Sequence, residues 1–420
     1  MRIGLYGVSR SGKDFLIDCL IKHINQKQKH TLFHVEGSST LDAISKRLFS
    51  KPLKDTSEEQ KEQLRLRFCD EIAGLNNGFA SIIVDGHYSF PQNNGFKVVF
   101  TDKDRDLYDS FFYLDTPANK IIEYANKDSD KKNVASMTEK EIEAWKNFEI
   151  DALRDVCQAQ NKELIVLDNN MDDTLSFFEN YLIGNTGIIL DTEKIAQTII
   201  NEHKTVIDRY TNIILLDCDR TISNNDTTYD FCDFLGIDKG ILKEIFVGER
   251  YSSYQFFRAA KLYAKNDSAL YDKAGIHAAG KAVLNCPLIN DIKNNGSEYL
   301  SIGITSGILK TGEIIQSNLE FPQIIMGGSN INTDRIIVSR SVKYQLARLL
   351  HTEKKYVIAV GDSAVDIDML EEADKGFIVA QEKTSNGVVG YFKKTRSKIM
   401  QLAYSQYCYD CITIKEGVFL

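Results

Sequence analysis

Two carboxylates two residues apart, Asp217 and Asp219, follow the apolar run Ile213-Ile214-Leu215-Leu216. In an extended chain, residues i and i+2 point the same way. Both acids are therefore expected to face one crevice at the carboxyl end of a strand, where open α/β sheets bind ligands. One carboxylate of such a pair can act as a nucleophile toward a phosphoryl group. The other can protonate the leaving oxygen and later activate water. Transfer of this kind needs positive charge and hydrogen-bond donors around the moving group, and the chain supplies them downstream in order. Ser301-Ile302-Gly303-Ile304 leads into Thr305-Ser306-Gly307, whose hydroxyls can hold phosphate oxygens. Lys343 lies early in an amphipathic pattern, Val342–Leu350. Val357–Val360 leads into Gly361-Asp362-Ser363-Ala364-Val365-Asp366, where Asp362 and Asp366 offer hard oxygen ligands for Mg²⁺. The alternative for the acid pair alone is two strand-end carboxylates that cap a following helix; the other three segments strengthen the reading as chemistry.

Together these residues resemble the haloacid dehalogenase superfamily, over the whole second half of the chain. D-x-D-x-T at Asp217 matches its first motif, Thr305 its second, Lys343 its third and G-D-S-x-x-D at Gly361–Asp366 its fourth. The resemblance implies Asp217 as nucleophile, Asp219 as general acid/base, Lys343 as a catalytic cation, and Thr305 and Ser306 on the substrate phosphate. It also implies Mg²⁺ held by Asp217, the Asp219 carbonyl and Asp362, with Asp366 in the same acidic shell. The helical stretch at about 226–295 resembles the phosphoserine-phosphatase type of cap, which closes over compact substrates. Within it, Glu249, Arg250 and Arg258 are substrate-contact candidates, each weighed against a solvated helix face. Phe231, Phe234, Phe256 and Phe257 read as cap core, and Gly327-Gly328-Ser329 as a turn.

A second phosphate-binding pattern opens the chain. Gly7-Val8-Ser9-Arg10-Ser11-Gly12-Lys13-Asp14 follows a short strand and starts a helix, the context a P-loop needs. Backbone N–H groups there can cradle phosphates while Lys13 reaches the β and γ oxygens. The P-loop pattern asks for Ser or Thr after the lysine, to hold Mg²⁺; this chain has Asp14. Asp85, ending the run Ser81–Val84, is a Walker-B-like or substrate-orienting acid, or else a plain strand cap. His87 reads as a packing histidine. Arg65, Arg67 and Arg105 can each be a contact for an acceptor phosphate or a surface arginine. Tyr113–Pro117 resembles the step before the lid of nucleoside-monophosphate kinases, yet the lid stretch Asn126–Lys146 holds lysines and no arginine, and Arg154 falls later. This half resembles the P-loop small-molecule kinases, which implies ATP as substrate or ligand.

These groups need elements to position them. Apolar runs alternate with helical patterns, which indicates α/β architecture with two doubly wound parallel sheets. The resemblances make these a P-loop NTPase fold, then a Rossmann-like fold carrying the cap. Strands are expected at Arg2–Tyr6, Thr31–Val35, Ser81–Val84, Lys97–Phe100, Phe111–Leu114 and Leu164–Leu167. Helices are expected at Lys13–Lys27, Ser57–Ala73, Pro117–Asn126, Thr138–Gln160 and Asp172–Leu182. In the second half, strands are expected at Asn212–Leu216, Tyr299–Ile304, Gln323–Met326, Ile336–Val338, Tyr356–Val360 and Gly376–Val379. Residues 1–185 and 212–420 are the expected domains. The turn Gly184-Asn185-Thr186-Gly187 and the helix Asp191–Arg209 lie between them, with 186–211 read as linker and helix.

The 420-residue length fits two domains at roughly 100–200 residues each. A net charge of −8 and a pI near 5.5 argue against a broad grip on nucleic acid, which needs clustered cations. Small phosphorylated metabolites or nucleotides, and ATP, are the expected partners. The start of the chain does not read as a signal peptide, no run approaches the ~20 apolar residues of a membrane span, and eight scattered cysteines suit a reducing cytoplasm. Cys408 and Cys411 form one C-x-x-C pair with no partner cluster for a metal site. The leading expectation is a kinase-like domain fused to a phosphatase. The alternatives are a polynucleotide end-healing enzyme and a phosphatase controlled by a non-catalytic nucleotide-binding domain.

Overall fold

The computed structural model describes all residues except 76–79, 94, 128–131, 185–187, 329–335, 383–384, 406, 410–411 and 420. The chain divides into two compact units, Met1–Asn185 and Thr186–Leu420. Each is mixed α/β with a parallel sheet. No helix among the described residues is long and apolar enough to cross a membrane.

The first unit runs β1 (Arg2–Tyr6), α1 (Lys13–Gln26), β2 (Thr31–Val35), α2 (Gly37–Phe49), α3 (Glu58–Ala73), β3 (Ala80–Asp85), β4 (Ser89–Gln92) and β5 (Gly95–Val98). It continues with α4 (Asp102–Leu107), β6 (Ser110–Leu114), α5 (Ala118–Asn126), α6 (Lys132–Ala135), α7 (Glu139–Ala159), β7 (Leu164–Leu167) and α8 (Met171–Ile183). The sheet order is β2-β3-β1-β6-β7, all parallel. Both faces must then be covered, and the strands read as near-continuous apolar runs. Tyr6, Phe111 and Tyr113 pack with Leu64 and Phe68 of α3 and Leu153 of α7. On the opposite face Phe112 stacks on Phe178 of α8 at 4.6 Å. Capping boxes start α3 at Ser57/Gln60 and α7 at Thr138/Glu141, which is why both boundaries were readable.

In this unit one strand is displaced from its expected position, and β4, α2, α4 and α6 are additional to the expected elements. The strand expected at Lys97–Phe100 lies at Gly95–Val98 and pairs antiparallel with β4, outside the main sheet. Pro91 within β4 lacks a ladder donor and suits this two-stranded hairpin. Helix α2 was not anticipated, because its N-cap, Glu36, offers no side-chain cap. The hairpin is pinned at its root: buried Glu149 of α7 accepts from Ser89 N (2.9 Å), Ser89 Oγ (2.9 Å) and Tyr113 Oη (3.0 Å). Trp145 Nε1, fully buried one turn earlier on α7, donates to Ser89 Oγ at 2.9 Å.

The second unit runs α9 (Thr192–Ile207), β8 (Asn212–Asp217), α10 (Thr227–Leu235), α11 (Lys239–Ile245), α12 (Ser253–Tyr263), α13 (Ser268–Lys281), α14 (Cys286–Asn295), β9 (Tyr299–Thr305) and α15 (Leu309–Leu319). There follow β10 (Ile324–Gly327), α16 (Arg340–Thr352), β11 (Tyr356–Gly361), α17 (Ile367–Glu372), β12 (Lys375–Val379), α18 (Asn386–Lys394), β13 (Met400–Leu402) and β14 (Ile414–Lys415). The sheet order is β10-β9-β8-β11-β12-β13-β14. Alternation along β8 and β11 builds a core on each face. Ile213, Leu215, Val357 and Ala359 meet α9 and α16, while Ile214, Leu216, Ile358 and Val360 meet α14.

This packing corrects three expectations. The cap was expected to run to about 295, but Leu288, Ile289 and Ile292 of α14 pack on the sheet. The separate helical core is carried by α10–α13, with Phe231, Tyr263, Tyr271 and Ala274 buried together. Phe234, expected in that core, is 41% exposed and lies against the His277 ring. Ile336–Val338 forms no strand; Ile336 makes only an isolated bridge with Ile189. Residues 185–187 of the linker turn and Ser329 of the glycine turn lie outside the described residues. The helix that follows the linker turn is part of the core, since Ile195, Ile199, Ile200 and Ile207 are buried against β8 and α16. Ile200→Ala is expected to cost about 2–5 kcal/mol, read as a lower midpoint in denaturant unfolding of the full chain. An unchanged midpoint would make α9 a linker.

Candidate active site

β8 lies between β9 and β11, so the carboxyl ends of three adjacent parallel strands meet at one crevice. They bring Asp217, Thr305 and Asp362 together; the register sets Asp217 beside Ile304, one residue before Thr305. Lys343 enters from the first turn of α16 and is 1% exposed. Its Nζ donates to Asp217 Oδ1 at 2.6 Å and to Asp366 Oδ1 at 2.7 Å. Asp366 is fully buried, and its Oδ2 accepts from Asp362 N, Ser363 N and Ser363 Oγ, each at 3.2 Å. It thereby shapes the loop that presents Asp362. A Cβ at Gly361 would stand 2.5 Å from Asp366 Cβ, so only glycine lets the loop close this tightly.

One oxygen each from Asp217, Asp362 and Asp366 lies within 4.8 Å of the others. Three buried carboxylates thus face one buried ammonium. Burial, then Asp366, pushes Asp217 up to about 7, against the pull of Lys343. Burial, then Asp217 and Asp366, pushes Asp362 well above the carboxylate range. Burial alone would lower Lys343, but Asp217 and Asp366 outweigh it and hold the ammonium above its ordinary value. An oxygen-only donor set with excess negative charge fits a hard divalent cation such as Mg²⁺.

Asp219 departs from the simple alternation. Cys218–Ile222 forms a tight turn with Arg220 in the left-handed region (φ 56°). The Asp219 carboxylate turns to the start of α10. Its Oδ1 accepts from Thr227 N (2.7 Å) and Thr227 Oγ1 (2.6 Å), and its Oδ2 from Thr228 Oγ1 (3.4 Å). It lies outside the three-carboxylate cluster. Burial, then Asp226, pushes Asp219 up to about 6 against the Thr227 hydrogen bonds. Gly307 packs close: a Cβ there would lie 2.9 Å from both Asp219 Oδ2 and Thr228 Oγ1. Thr305 Oγ1 accepts from Gly307 N at 2.9 Å. The buried hydroxyls of Ser306 and Thr221 have no hydrogen-bond partner among the described residues.

Sequence reasoning missed four contributors here. Arg220 pairs with Asp226 at 3.3 Å, and Gln381 Nε2 holds its carbonyl at 2.7 Å. Thr227 and Thr228 fix Asp219. The adjacent threonines after D-x-D-R-T were a readable signal for helix capping; nothing local flagged Gln381. Of the cap candidates, Arg258 lies over the Tyr254 ring at 5.8 Å, and the side chain of Glu249 lies outside the described residues. Arg250 lies close to Gly248, where a Cβ would stand 3.2 Å from its Nε.

In the first unit, β1 delivers Gly7–Asp14 between the ends of β3 and β6. Gly7 (φ 152°) cannot carry a side chain, since a Cβ would meet Ser11 Oγ at 2.9 Å. Gly12 (φ 90°) is the N-cap of α1. Lys13 folds back, donating to Gly7 O (2.7 Å) and Val8 O (3.3 Å). The buried Ser11 Oγ has no partner among the described residues, while the Thr116 hydroxyl bridges Ser11 O (2.6 Å) and Asn169 Oδ1 (3.0 Å). Asp85 Oδ1 pairs with His34 Nε2 at 2.8 Å and accepts from Gly37 N at 3.0 Å. Burial would raise Asp85, but His34, the Gly37 N–H and Lys13 outweigh it and keep the carboxyl low.

Ser11, Gly12, Lys13, Gly37, Asp85 and Asn169 line a cavity of about 1020 Å³, which also takes in Ser9, Arg10, Asp14, Arg65 and His87. That is at the top of the usual range for ligand pockets, roughly 300–1,000 Å³. His87 packs on the Phe90 ring at 4.9 Å. Arg67 pairs with Glu71, Arg105 with Asp102 and Asp106, and Arg154 with Asp151, so these three are tied to surface acids. Lys146, at the end of the lid stretch, is buried against Asp115 at 2.8 Å; residues 128–131 of that stretch lie outside the described residues. Cys408 is exposed, and Cys411 lies outside the described residues.

Neither a family model nor a curated protein matches the chain. Among solved structures it is similar to a phospho-aspartyl intermediate analogue of phosphoserine phosphatase, at 16% identity over 44% of this chain and 100% of that one, with a TM-score of 0.32. It is also similar to an apo phosphoserine phosphatase, at 19% identity over 40% and 86% of the two chains (TM-score 0.30). A shikimate kinase from Bacteroides thetaiotaomicron matches at 13% identity over 43% and 98% (TM-score 0.28).

The charge imbalance at Asp217 gives two expectations. Mg²⁺ at a hundredfold excess over its Kd should stabilise the protein by about 2.7 kcal/mol, and Asp362→Asn should remove most of the thermal shift. Lys343→Met should cost about 3–5 kcal/mol in chelator, since it strands buried carboxylates. Thermal unfolding of the three proteins with and without Mg²⁺ checks both; equal shifts in wild type and Asp362→Asn would refute the cation site.

Proposed function

We propose that the second unit is a Mg²⁺-dependent phosphomonoesterase of the haloacid dehalogenase superfamily, acting through an aspartyl-phosphate on Asp217. The observation that carries the reading is the Asp217 carboxylate itself. Lys343 holds its Oδ1, while Oδ2 accepts no hydrogen bond among the described residues and is left for phosphorus. In the first step an Asp217 oxygen bonds to phosphorus, and the ester bond to the leaving oxygen breaks. Asp219, whose carboxyl titrates nearer neutrality than an ordinary one, supplies the proton that oxygen needs. In the second step Asp219 takes a proton from water as it attacks phosphorus, which releases phosphate and restores Asp217. Thr305 and the partnerless Ser306 hydroxyl are suited to the phosphoryl oxygens, and Lys343 neutralises charge as the group moves. A bound Mg²⁺, held by Asp217, Asp362 and the Asp219 carbonyl, would supply further charge neutralisation.

For the first unit, we propose ATP binding at Gly7–Lys13 and phosphoryl transfer to a small metabolite or nucleotide. The cavity volume, the N-terminus of α1 and the partnerless Ser11 hydroxyl support it. Asp14, exposed where a Ser or Thr would hold Mg²⁺, favours a second reading in which this unit senses ATP without transferring phosphate.

Asp217→Asn should lower phosphatase turnover at least about 10³-fold, in a Mg²⁺-dependent screen of phosphorylated metabolites, nucleotides and oligonucleotides. Retained turnover would remove the nucleophile assignment. Lys13→Ala should weaken ATP about tenfold or more, 1.4 kcal/mol or above, and leave the phosphatase rate intact. Calorimetric titration with ATP decides this, and unchanged affinity would refute the P-loop role.

A further inference from the structure

The cavity of the first unit has a second charged wall away from the P-loop. Lys61 and Arg65 sit one turn apart on α3, and Lys97 reaches the same space from β5. A single carboxylate, Glu58, answers both lysines, pairing with Lys61 at 2.8 Å and also with Lys97. Arg65 has no hydrogen-bond or ion-pair partner among the described residues, although it is half-buried and burial lowers its pKa. Arginines outside this cavity, such as Arg47, Arg67, Arg105 and Arg348, are each paired with an acid.

A desolvated guanidinium with five donors and nothing to bond loses hydration without recompense. The charges of Glu58, Asp104 and Glu62 act on Arg65, but none of the three bonds to it; Glu58 is engaged by Lys61 and Lys97, and Asp104 is held elsewhere. The Asp104 carboxylate is engaged by Thr101 N (2.8 Å), Thr101 Oγ1 (2.6 Å) and Cys69 Sγ (3.5 Å), and it forms no ion pair with Arg65. Arg65 therefore does not serve Asp104 as a direct partner. Around it the wall turns apolar, with Leu41, Leu53, Phe68 and Val99 lining the same space. Two lysines that share Glu58, and an Arg65 that bonds to no acid although Glu58 and Asp104 line the same space, stand beside apolar side chains and suit a molecule with an anionic group and an apolar or planar body.

We propose that Arg65, with Lys61 and Lys97, forms a second anion seat that holds the phosphate or carboxylate of a small molecule while ATP occupies Gly7–Lys13. This rests on the ATP-binding reading above and adds the chemical class of the second ligand. That ligand could be a nucleoside monophosphate or a phosphorylated acid, and both share this chemistry.

The test uses the full chain carrying Asp217→Asn, so that no ligand is hydrolysed, saturated with Mg²⁺ and a non-hydrolysable ATP analogue. Inorganic phosphate, AMP and 3-phosphoglycerate are titrated in turn by calorimetry. At least one of them should bind, Arg65→Ala should weaken it tenfold or more, Arg65→Lys should recover part of the loss, and Arg67→Ala should behave as the parent. Tighter binding of AMP points to a nucleotide; tighter binding of 3-phosphoglycerate points to an acidic metabolite. Affinity of Arg65→Ala for the ATP analogue should be unchanged, which shows that the first unit is folded. Absence of binding for all three probes, or equal affinity in Arg65→Ala, overturns the seat even where the analogue binds. If the analogue itself does not bind, the ATP reading fails, and inorganic phosphate titrated into Arg65→Ala and its parent decides the seat alone.

Discussion

Burying one ammonium among three carboxylates is the constraint around which the second unit is arranged. Taking such charges out of water costs several kcal/mol per ion, and their attraction offsets this only when geometry is held and remaining oxygens are bonded. Each neighbouring feature meets part of that requirement. The apolar β8 brings Asp217 to the sheet edge, α16 fixes the approach of Lys343, and Gly361 and Ser363 wrap Asp366. α9 and α14 seal the two faces of the sheet beneath. Without the sealed sheet the ion cluster would be wet and loosely held, and its carboxylates would lose the perturbed protonation that burial produces.

The first unit uses the same topology for a different electrostatic result. Parallel strands again end together, but the groups gathered there are a glycine-rich turn, an ionised Asp85 tied to His34, and two lysines that share one carboxylate, Glu58. One unit concentrates negative charge in a closed crevice, and the other leaves donors facing a large open space. A cavity of about 10 Å³ behind Asp219 and Thr305 is lined by Ile222, Ile308 and Ile325. The bonds from Asp219 to Thr227 and Thr228 tie that acid to the root of α10, so its position depends on that helix.

Much of this was legible in the chain because its signals are local. The run Ile213–Leu216 announces a buried strand, and Gly7–Lys13 announces a phosphate loop. Capping pairs at Ser57 and Thr138 mark helix starts to within a residue. The sheet-edge placement of Asp217, Thr305 and Asp362 follows from strands that alternate with helices. What escaped depends on partners distant in sequence. Nothing near Asp219 says that its carboxylate will turn toward Thr227, because the left-handed turn at Arg220 is held by Asn225 and by Gln381. α2 lacks a side-chain cap, so its start was invisible. Arg65 and Arg67 are two residues apart and equivalent by type; only the fold directs one to a cavity and the other to Glu71. The end of the cap was misplaced because α14 is as apolar as a cap helix, and its packing partner is a sheet assembled from strands far along the chain.

Trp145 is the chain's only tryptophan, and its indole N–H is shared between Ser89 and Glu149 at the root of the β4–β5 hairpin. Intrinsic emission excited near 295 nm therefore comes from the first unit alone. It is an optical gauge of one hairpin, built into the native sequence. Loosening of the Ser89 anchor would change both hydrogen bonding and quenching of the indole, so the spectrum would follow hairpin displacement without any label. Rearrangement of α10–α13 would pass unseen by the same lamp, which makes the two halves of the molecule spectroscopically separable.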